Sequence, residues 1–449
     1  MTASPFPAPD LDALARWLAD QRWFGAKASG VPELTLLDLV PLGGDPPIAL
    51  AVVEAGKDAA GPLHYQVVLE HDPATGAVRP DALCDLPGAR RFVAELAASR
   101  RHDAGGATVS FRWLDAVPRP QGTDVRRFGG EQSNTSLLVD DTHIVKVFRR
   151  LVPGTNPELE VLRVLARRGF DGTPSVAGWA ELGHGGDEPT TLAVAQELVS
   201  RGRDGWEHVL DRLVTDPGAS LAELRDLGCT VGRLHSVLAE VDDDPDFAPR
   251  DPDARAWQRL PRTVADDLRA LVLSHPGHRE VAALEDLADA LERRLDAMVD
   301  ASIGGCWIRV HGDLHLGQTL LIPGGWKILD FEGEPARPLE ERRRHQPALR
   351  DVAGMLRSFA YAAATHGRHT GRPAPPGWEA GARAAFLDGY VTTVDPVLLP
   401  PTAAGVRAQL TVLEIDKAVY ELGYELGNRP DWAAIPARGL RRLLEPDPR

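Results

Sequence analysis

The stretch HGDLHLGQTLLIPGGWKILDFEGE at positions 311–334 constrains the fold of this chain more than any other segment. Two short apolar runs flank a Pro-Gly-Gly turn, a composition that predicts a β-hairpin. The predicted strands are Thr319–Ile322 and Trp326–Leu329. A polar loop with Asp313 and Gln318 precedes the hairpin, and Asp330 follows its second strand. The hairpin therefore holds two carboxylates and an amide close to its ends.

These three polar groups suit phosphoryl transfer. That reaction needs one carboxylate to accept or orient a hydroxyl group, while a second carboxylate and an amide oxygen hold Mg²⁺ against the nucleotide phosphates. The stretch resembles the catalytic and metal-binding loops of the protein-kinase-like fold, in the form found in aminoglycoside phosphotransferases and sugar kinases. The resemblance implies that Asp313 is the catalytic base and that Gln318 and Asp330 are metal ligands.

Two other interpretations fit the polar loop. It could be a buried polar turn without function, or His311 and His315 could be metal ligands four residues apart. A four-residue spacing places two ligands together on a helix, but Gly312 and Gly317 disfavour a helix there. The kinase interpretation is therefore preferred.

Length and composition limit the class of protein. A chain of 449 residues is too long to form a single compact core. Its net charge of −15 argues against nucleic acid or an anionic membrane as a partner. Three widely separated cysteines, Cys84, Cys229 and Cys306, give no disulfide framework or zinc pattern and fit a reducing cytoplasm. The sequence has no signal-peptide pattern and no run of about eighteen apolar residues. We therefore expect a cytoplasmic protein.

Element patterns divide the chain into three predicted domains. A helix capped by Asp10 and three strand-like segments form a small N-terminal module, 1–105, which ends in a polar segment. Residues 106–200 indicate a second sheet with one helix, and residues 201–449 are mainly helical. A charged and proline-rich stretch, 242–262, separates two of the predicted helices.

A small polar loop, GGEQSNTS at 129–136, lies between two predicted strands of the second domain. Its small residues would let backbone N–H groups and hydroxyls approach phosphates. The loop matches neither the glycine-rich pattern of protein kinases nor that of P-loop proteins, and ordinary hairpins have similar turns. The nucleotide-binding residues predicted here are Gln132, Ser133, Asn134, Thr135 and Ser136.

Lys146 lies inside the apolar run IVKVF, where an unpaired ammonium group would be costly. In the kinase fold such a lysine contacts the α- and β-phosphates and pairs with a helix glutamate. The next segment predicts that helix, with Asn156 as its N-cap. We expect Glu160 to form the pair, with Glu158 as the alternative. Both glutamates could instead only stabilise the helix dipole.

The apolar strand TLAVAQEL ends in Gln196, Glu197 and Leu198. This position corresponds to the hinge of the kinase-like fold, where the resemblance implies that backbone groups bind adenine. The turn-forming segment SRGRDG then leads into the third domain.

Residues that contact the acceptor are predicted in two places. Near the catalytic loop, His315 and Glu332 could contact a sugar; Glu332 could also bind a second metal ion or lie in a solvated turn. In the helix that contains DKAVYELGYE, aromatic residues and carboxylates recur at i,i+4 spacing, which suits sugar recognition. A packed helix with capping charges would give the same pattern. The residues predicted there are Asp416, Tyr420, Glu421 and Glu425.

Eight motifs, in this order, make the chain similar to the maltokinase-like and glucosamine kinase family of bacterial sugar kinases. They are QRWFGAK, GGEQSNTS, IVKVFRR, NPELE, VHGDLHLGQ, ILDFEGEP, LRDVAGMLRSF and DKAVYELGYE. The similarity implies an α+β, protein-kinase-like bilobal fold, with a mixed antiparallel sheet in the N-lobe, a mainly helical C-lobe and an additional N-terminal α/β cap subdomain. It also implies transfer of the γ-phosphoryl group of ATP to a sugar, with Mg²⁺ as cofactor.

Two acceptors come into question for this family. The sequence has Ala360 where the maltokinase pattern has an acid, and Leu426-Gly427 where that pattern has Ala-Arg. We therefore expect glucosamine, converted to glucosamine 6-phosphate, with its ammonium group bound by Asp416, Glu421 or Glu425. Maltose, converted to maltose 1-phosphate, is the alternative and would imply a partner enzyme of glycogen or trehalose metabolism. A non-catalytic, kinase-like binding or regulatory subunit is the alternative of another class.

Overall fold

The computed structural model describes residues 6–25, 31–58, 61–129, 133–282, 284, 287–334 and 337–444. The chain divides into two compact units, Met1–Arg167 with Pro174–Ser200 and Arg168–Thr173 with Arg201–Arg449. Among the described residues, no helix combines the length and the apolar character that crossing a membrane requires. Helices and strands are numbered in chain order below.

The first unit is built on antiparallel sheets. Its strands are β1 (Leu34–Gly43), β2 (Ile48–Asp58), β3 (Gly61–His71), β4 (Val78–Pro80), β5 (Arg101–Ala104), β6 (Ala107–Trp113), β7 (Val125–Arg127), β8 (Asn134–Val139), β9 (His143–Phe148), β10 (Arg150–Leu151), β11 (Val176–His184) and β12 (Thr190–Glu197). Its helices are α1 (Leu11–Ala19), α2 (Leu86–Ala97) and α3 (Pro157–Arg167). One sheet has the order β1-β2-β3-β10, with β4 beside β3, and another has the order β5-β6-β11-β12-β9-β8-β7.

The N-terminal sheet is covered by α1, as its sequence pattern predicts. The Asp10 side chain accepts hydrogen bonds from the first N–H groups of α1, and the buried face of that helix packs with Phe24 and Tyr65. Strand β10 pairs with β3, so a strand from beyond residue 105 completes this sheet. The polar segment around residue 105 is the tight turn of the β5–β6 hairpin.

The second unit is mainly helical. Its helices are α4 (Gly205–Thr215), α5 (Pro217–Ala239), α6 (Ala254–Ser274), α7 (Arg279–Ala282), α8 (Ala288–Ser302), α9 (Leu339–Arg342), α10 (Leu349–Thr370), α11 (Trp378–Thr393), α12 (Ala403–Asn428) and α13 (Ala434–Leu444). Its strands are β13 (Arg203–Asp204), β14 (Trp307–Ile308), β15 (Thr319–Ile322), β16 (Gly325–Ile328) and β17 (Gln346–Pro347). The predicted hairpin is confirmed as β15–β16, with its second strand starting one residue earlier than expected.

The charged stretch 242–262 does not simply separate helices, because α6 begins within it. The Asp253 side chain accepts a hydrogen bond from the N–H of Ala256 and caps the start of α6. Trp257 belongs to the buried apolar face of this helix. Pro261 lies inside α6, where it removes one N–H donor. The proline-rich composition does not predict this helix. The helix forms because burial of its apolar face outweighs the low helix propensity of the segment.

Helix α10 lies directly against the catalytic loop. A Cβ atom at Gly354 would lie 2.6 Å from the carbonyl oxygen of Leu314, so only glycine permits this approach. The helix also packs along α12, and the two helices supply most of the acidic and aromatic residues discussed below.

Candidate active site

The catalytic loop is anchored by Asp351, near the start of α10. Its carboxylate accepts hydrogen bonds from the backbone N–H groups of His311 (2.8 Å) and Gly312 (2.9 Å) and lies 3.0 Å from Nε2 of His235. Burial alone would raise the pKa of Asp351, but these donors and the charge of His235 hold it below its ordinary value. Asp351 is not among the predicted site residues, although its place in an apolar helix, LRDVAGML, was an available signal.

The interpretation of His311 and His315 as a metal pair is wrong. Nε2 of His311 donates to the carbonyl of Leu329 (2.7 Å), and Nδ1 accepts from the N–H of Asp313 (3.3 Å). Both nitrogens of His311 are thus engaged in shaping the loop. Nδ1 of His315 accepts from the N–H of Gly317 (3.1 Å), and burial lowers the pKa of the His315 ring.

The predicted metal ligands Gln318 and Asp330 are brought together by the hairpin. Nε2 of Gln318 donates to Oδ2 of Asp330 (3.2 Å), and a carboxylate oxygen of Glu332 lies within 4.8 Å of one from Asp330. Asp330 has φ +62°, a left-handed conformation that is costly without glycine and is found at functional sites. Carboxylate and amide oxygens are the donors that Mg²⁺ prefers, so these residues fit that ion.

Lys417, on α12, contacts the predicted catalytic base. Its Nζ donates to Oδ1 of Asp313 (3.0 Å) and to Oε1 of Glu334 (2.6 Å). Burial alone would lower the pKa of Lys417, but the two carboxylates raise it above its ordinary value. Burial would raise the pKa of Glu334, but Lys417 and Arg337 lower it. Sequence reasoning missed Lys417, although it lies within the DKAVYE motif.

A pocket of about 520 Å³ opens beside Asp313. Its lining residues are Trp206, Asp313, His315, Gly317, Gly354, Ser358, Tyr361, Thr365, His369, Lys417, Tyr420, Glu421, Tyr424, Glu425, Arg429 and Trp432. With Asp313 included, five of the seven predicted acceptor contacts are in this wall, and Asp416 and Glu332 are not. Asp416 instead pairs with Arg350 (2.9 Å), because one residue along a helix turns the side chain about 100° away from Lys417. Glu332 lies at the metal ligands.

The two predicted acids of α12 that line the pocket differ in their hydrogen bonding. Glu425 is fully engaged, since it accepts from Tyr361 Oη (3.1 Å) and from two nitrogens of Arg429. Glu421 accepts from Nε and Nη2 of Arg357, but both bonds go to Oε2. Among the described residues, none donates to Oε1 of Glu421. Burial raises the pKa of Glu421, although Arg357 opposes that rise.

The residues that distinguish this sequence from the maltokinase pattern lie elsewhere. Ala360 is in the wall of a different cavity, discussed below, and neither Leu426 nor Gly427 lines the pocket. Their identity therefore gives no direct evidence about the acceptor, although they belong to the helices that form the pocket.

In the first unit, Lys146 pairs with Glu158 and not with Glu160. Nζ of Lys146 lies 3.1 Å from Oε2 of Glu158, whose Oε1 accepts from Nε2 of Gln196 (2.9 Å). The prediction that Glu160 forms this pair is wrong. Glu158 is 3% exposed and is in the buried face of α3, whereas Glu160 is two residues, or about 200°, further round the helix.

The predicted phosphate loop is shorter than its sequence indicates. Asn134, Thr135 and Ser136 are buried in strand β8, and Oγ1 of Thr135 accepts from Nε of Arg149 (2.8 Å). The strand includes these residues because they pair with Phe148, Val147 and Lys146 of β9. Ser133 is exposed, and Gln132 lies outside the described residues.

The predicted hinge has fewer available N–H groups than expected. The N–H of Glu197 donates to Ser175 (2.9 Å), and that of Leu198 donates to Thr142 (2.8 Å). A nucleotide base would therefore use other backbone groups of this segment. Gln196 contributes through its side chain, which fixes Glu158.

Comparisons with known proteins agree with this architecture. Residues 124–391 match the phosphotransferase enzyme family, and residues 17–98 match the maltokinase N-terminal cap domain. The glucosamine kinase of Streptacidiphilus jiangxiensis is 32% identical over 423 residues, which cover 88% of each chain. That of Mycolicibacterium smegmatis is 29% identical over 428 residues, 91% of this chain and 98% of the relative.

A solved structure of a glucosamine kinase in complex with glucosamine, ADP and inorganic phosphate is 27% identical to this chain. It matches with a TM-score of 0.69 over 98% of this chain and 100% of that one. A second crystal form matches with a TM-score of 0.72. The predicted kinase-like fold and sugar-kinase resemblance are thereby confirmed. The chain belongs to the phosphotransferase enzyme family and carries a maltokinase N-terminal cap domain.

Proposed function

We propose that this protein is a glucosamine kinase, which uses ATP and Mg²⁺ to form glucosamine 6-phosphate. The observation that carries the proposal is the carboxylate of Glu421 in the pocket that also contains Asp313. Its Oε1 accepts no hydrogen bond from any described residue, so it can bind the ammonium group of an amino sugar. The two curated relatives named above are glucosamine kinases and support the same acceptor.

The remaining roles follow from the contacts of each residue. Asp313 orients the acceptor hydroxyl and accepts its proton, and Lys417 restricts the carboxylate to one position. Lys146, fixed by Glu158, neutralises phosphate charge. When bound, Mg²⁺ would be held by Gln318 and Asp330 and would neutralise charge that develops during transfer.

Maltose is the second candidate, because two observations favour it. The pocket volume of about 520 Å³ is generous for one hexose, and the cap domain is of the maltokinase type. A neutral disaccharide would, however, leave the buried carboxylate of Glu421 without a cationic partner other than Arg357.

The test is ATP consumption with glucosamine, N-acetylglucosamine, glucose and maltose. We expect glucosamine to be the best acceptor and N-acetylglucosamine, which lacks the ammonium charge, to be much poorer. Turnover with maltose but not glucosamine would overturn the proposed acceptor. No sugar-dependent turnover would favour a non-catalytic binding subunit. Turnover unchanged in Asp313→Ala would contradict the catalytic role of Asp313.

A further inference from the structure

A second cavity, of about 420 Å³, is lined by Arg357, whose ion-pair partner Glu421 lines the acceptor pocket. Its floor is formed by small residues of α10, among them Ala360, Ala364 and Gly367, and its opposite wall is α13. This volume is within the range of roughly 300–1,000 Å³ that is typical of small-molecule sites. None of the residues to which a catalytic role is given above lines this cavity.

The charged residues of this cavity are mostly basic. They are Arg357, Arg368, Arg438 and Arg442, with Glu379 as the acidic member. Arg442 pairs with Glu379 (2.6 Å), and Arg357 pairs with Glu421, so a surplus of two positive charges remains. The protein as a whole carries −15, so this local excess is opposite in sign to the net charge. A dianion would neutralise it.

Two of these arginines have unused donors. The Arg357 side chain is 1% exposed, and its Nη1 is buried without a hydrogen-bond partner, against Gly439 in the cavity wall. A Cβ atom at Gly439 would lie 2.2 Å from that nitrogen, so a larger residue there would displace the guanidinium group of Arg357. Arg438 is exposed and forms no ion pair with the described part of the chain. A buried donor without a partner costs about 1–3 kcal/mol, so an acceptor placed beside Nη1 would be favourable.

We propose that this cavity binds the phosphate group of a small metabolite and that its occupant strengthens binding of a cationic sugar in the acceptor pocket. Arg357 connects the two cavities, because its Nε and Nη2 hold Glu421 while Nη1 is next to the second cavity. An anion bound there partly neutralises the positive charge of Arg357. The carboxylate of Glu421 then attracts an ammonium group more strongly. The anion site does not depend on the proposed acceptor, whereas the coupling does.

The first measurement is calorimetric titration of the full-length protein, saturated with Mg·ADP, with inorganic phosphate and with glucose 6-phosphate. We expect binding of at least one probe in the wild type and in Arg407→Glu, which makes the same charge change at an exposed site of α12. Binding should be lost in Arg438→Glu and in Ala364→Met, which fills the cavity without a change of charge. The probe that binds more tightly distinguishes free phosphate from a phosphate ester. Binding unaffected by both cavity variants would overturn the proposal.

The second measurement is the affinity for glucosamine with and without the better probe, at constant ionic strength. Coupling between sites is typically about fivefold or more, and we expect this tightening in the wild type but not in Arg438→Glu. Equal affinity with and without the probe would overturn the coupling. If glucosamine does not bind at all, the acceptor proposal fails, but the first measurement still decides whether the anion site exists.

Discussion

The catalytic hairpin and the acceptor pocket are assembled in different ways. In the hairpin, the functional groups contact one another over short stretches of chain, as Gln318 and Asp330 do. In the pocket, the decisive contacts join distant segments: Arg357 binds Glu421, 64 residues away, and Asp313 binds Lys417, 104 residues away. The proposed reaction chemistry thus depends on a local motif, whereas the proposed choice of acceptor depends on the packing of α10 against α12.

The largest effect is expected at the hairpin. Asp313→Asn keeps the shape of the side chain but removes its ability to accept a proton, so kcat should fall about a thousandfold. The measurement is steady-state ADP formation with glucosamine. Asp300→Asn, on α8, is the control and should retain full activity. A fall of less than tenfold would show that the hairpin does not set the reaction rate.

Breaking the long-range pair that shapes the pocket should mainly reduce stability. Arg357→Met leaves Glu421 buried without its cation, and such a loss costs about 3 kcal/mol of the free energy of unfolding. Urea denaturation followed by circular dichroism measures this change. Arg344→Met breaks an exposed pair with Glu340 and should have no measurable effect. Equal effects of both variants on the free energy of unfolding would contradict the difference between the long-range pair of the pocket and the exposed pair.

On α12, substitutions of Glu421 and of Asp416 should have clearly different effects on the KM for glucosamine. Glu421→Gln removes the charge proposed to bind the ammonium group, so the KM for glucosamine should rise about 30-fold with little change in the KM for ATP. Asp416→Asn, which alters a residue outside the pocket wall, should leave the KM for glucosamine unchanged. If Asp416→Asn raised the KM for glucosamine more than Glu421→Gln does, the acceptor would bind at another part of α12.

The corrected ion pair of the first unit offers a smaller test. Glu158→Gln weakens the pair with Lys146, so the KM for ATP should rise about tenfold while that for glucosamine stays constant. Glu160→Gln should resemble the wild type. Comparison of the ATP saturation curves of the two variants decides which glutamate pairs with Lys146.

A severalfold effect of pH is expected from Glu421. Burial raises its pKa, and Arg357 and Lys417 oppose the rise while Glu425 adds to it. Only the ionised carboxylate attracts an ammonium group, so the KM for glucosamine should increase as the pH falls through this raised pKa. The increase should disappear in Glu421→Gln. A pH dependence that persists in this variant would assign the titration to another group.

The same contrast explains what the sequence could predict. Loop composition and hairpin periodicity predict where Gln318 and Asp330 lie, and their juxtaposition is confirmed. Their roles as metal ligands are what the resemblance implies. Lys417 and Asp351 were missed because their partners lie far away in the sequence. Glu160 was preferred to Glu158 because both suit a helix start, and only the packing of α3 decides which one is buried.

Helix α10 has a consequence for engineering this protein. It carries Asp351, which holds the catalytic loop, and two turns later Arg357 and Tyr361, which hold the acids of the pocket. At about 1.5 Å and 100° per residue, one rigid rod sets both the spacing and the orientation of these groups. Inserting or deleting a single residue between them would rotate one set away from the other. New acceptor specificity should therefore be sought by exchanging side chains along this helix while its length is preserved.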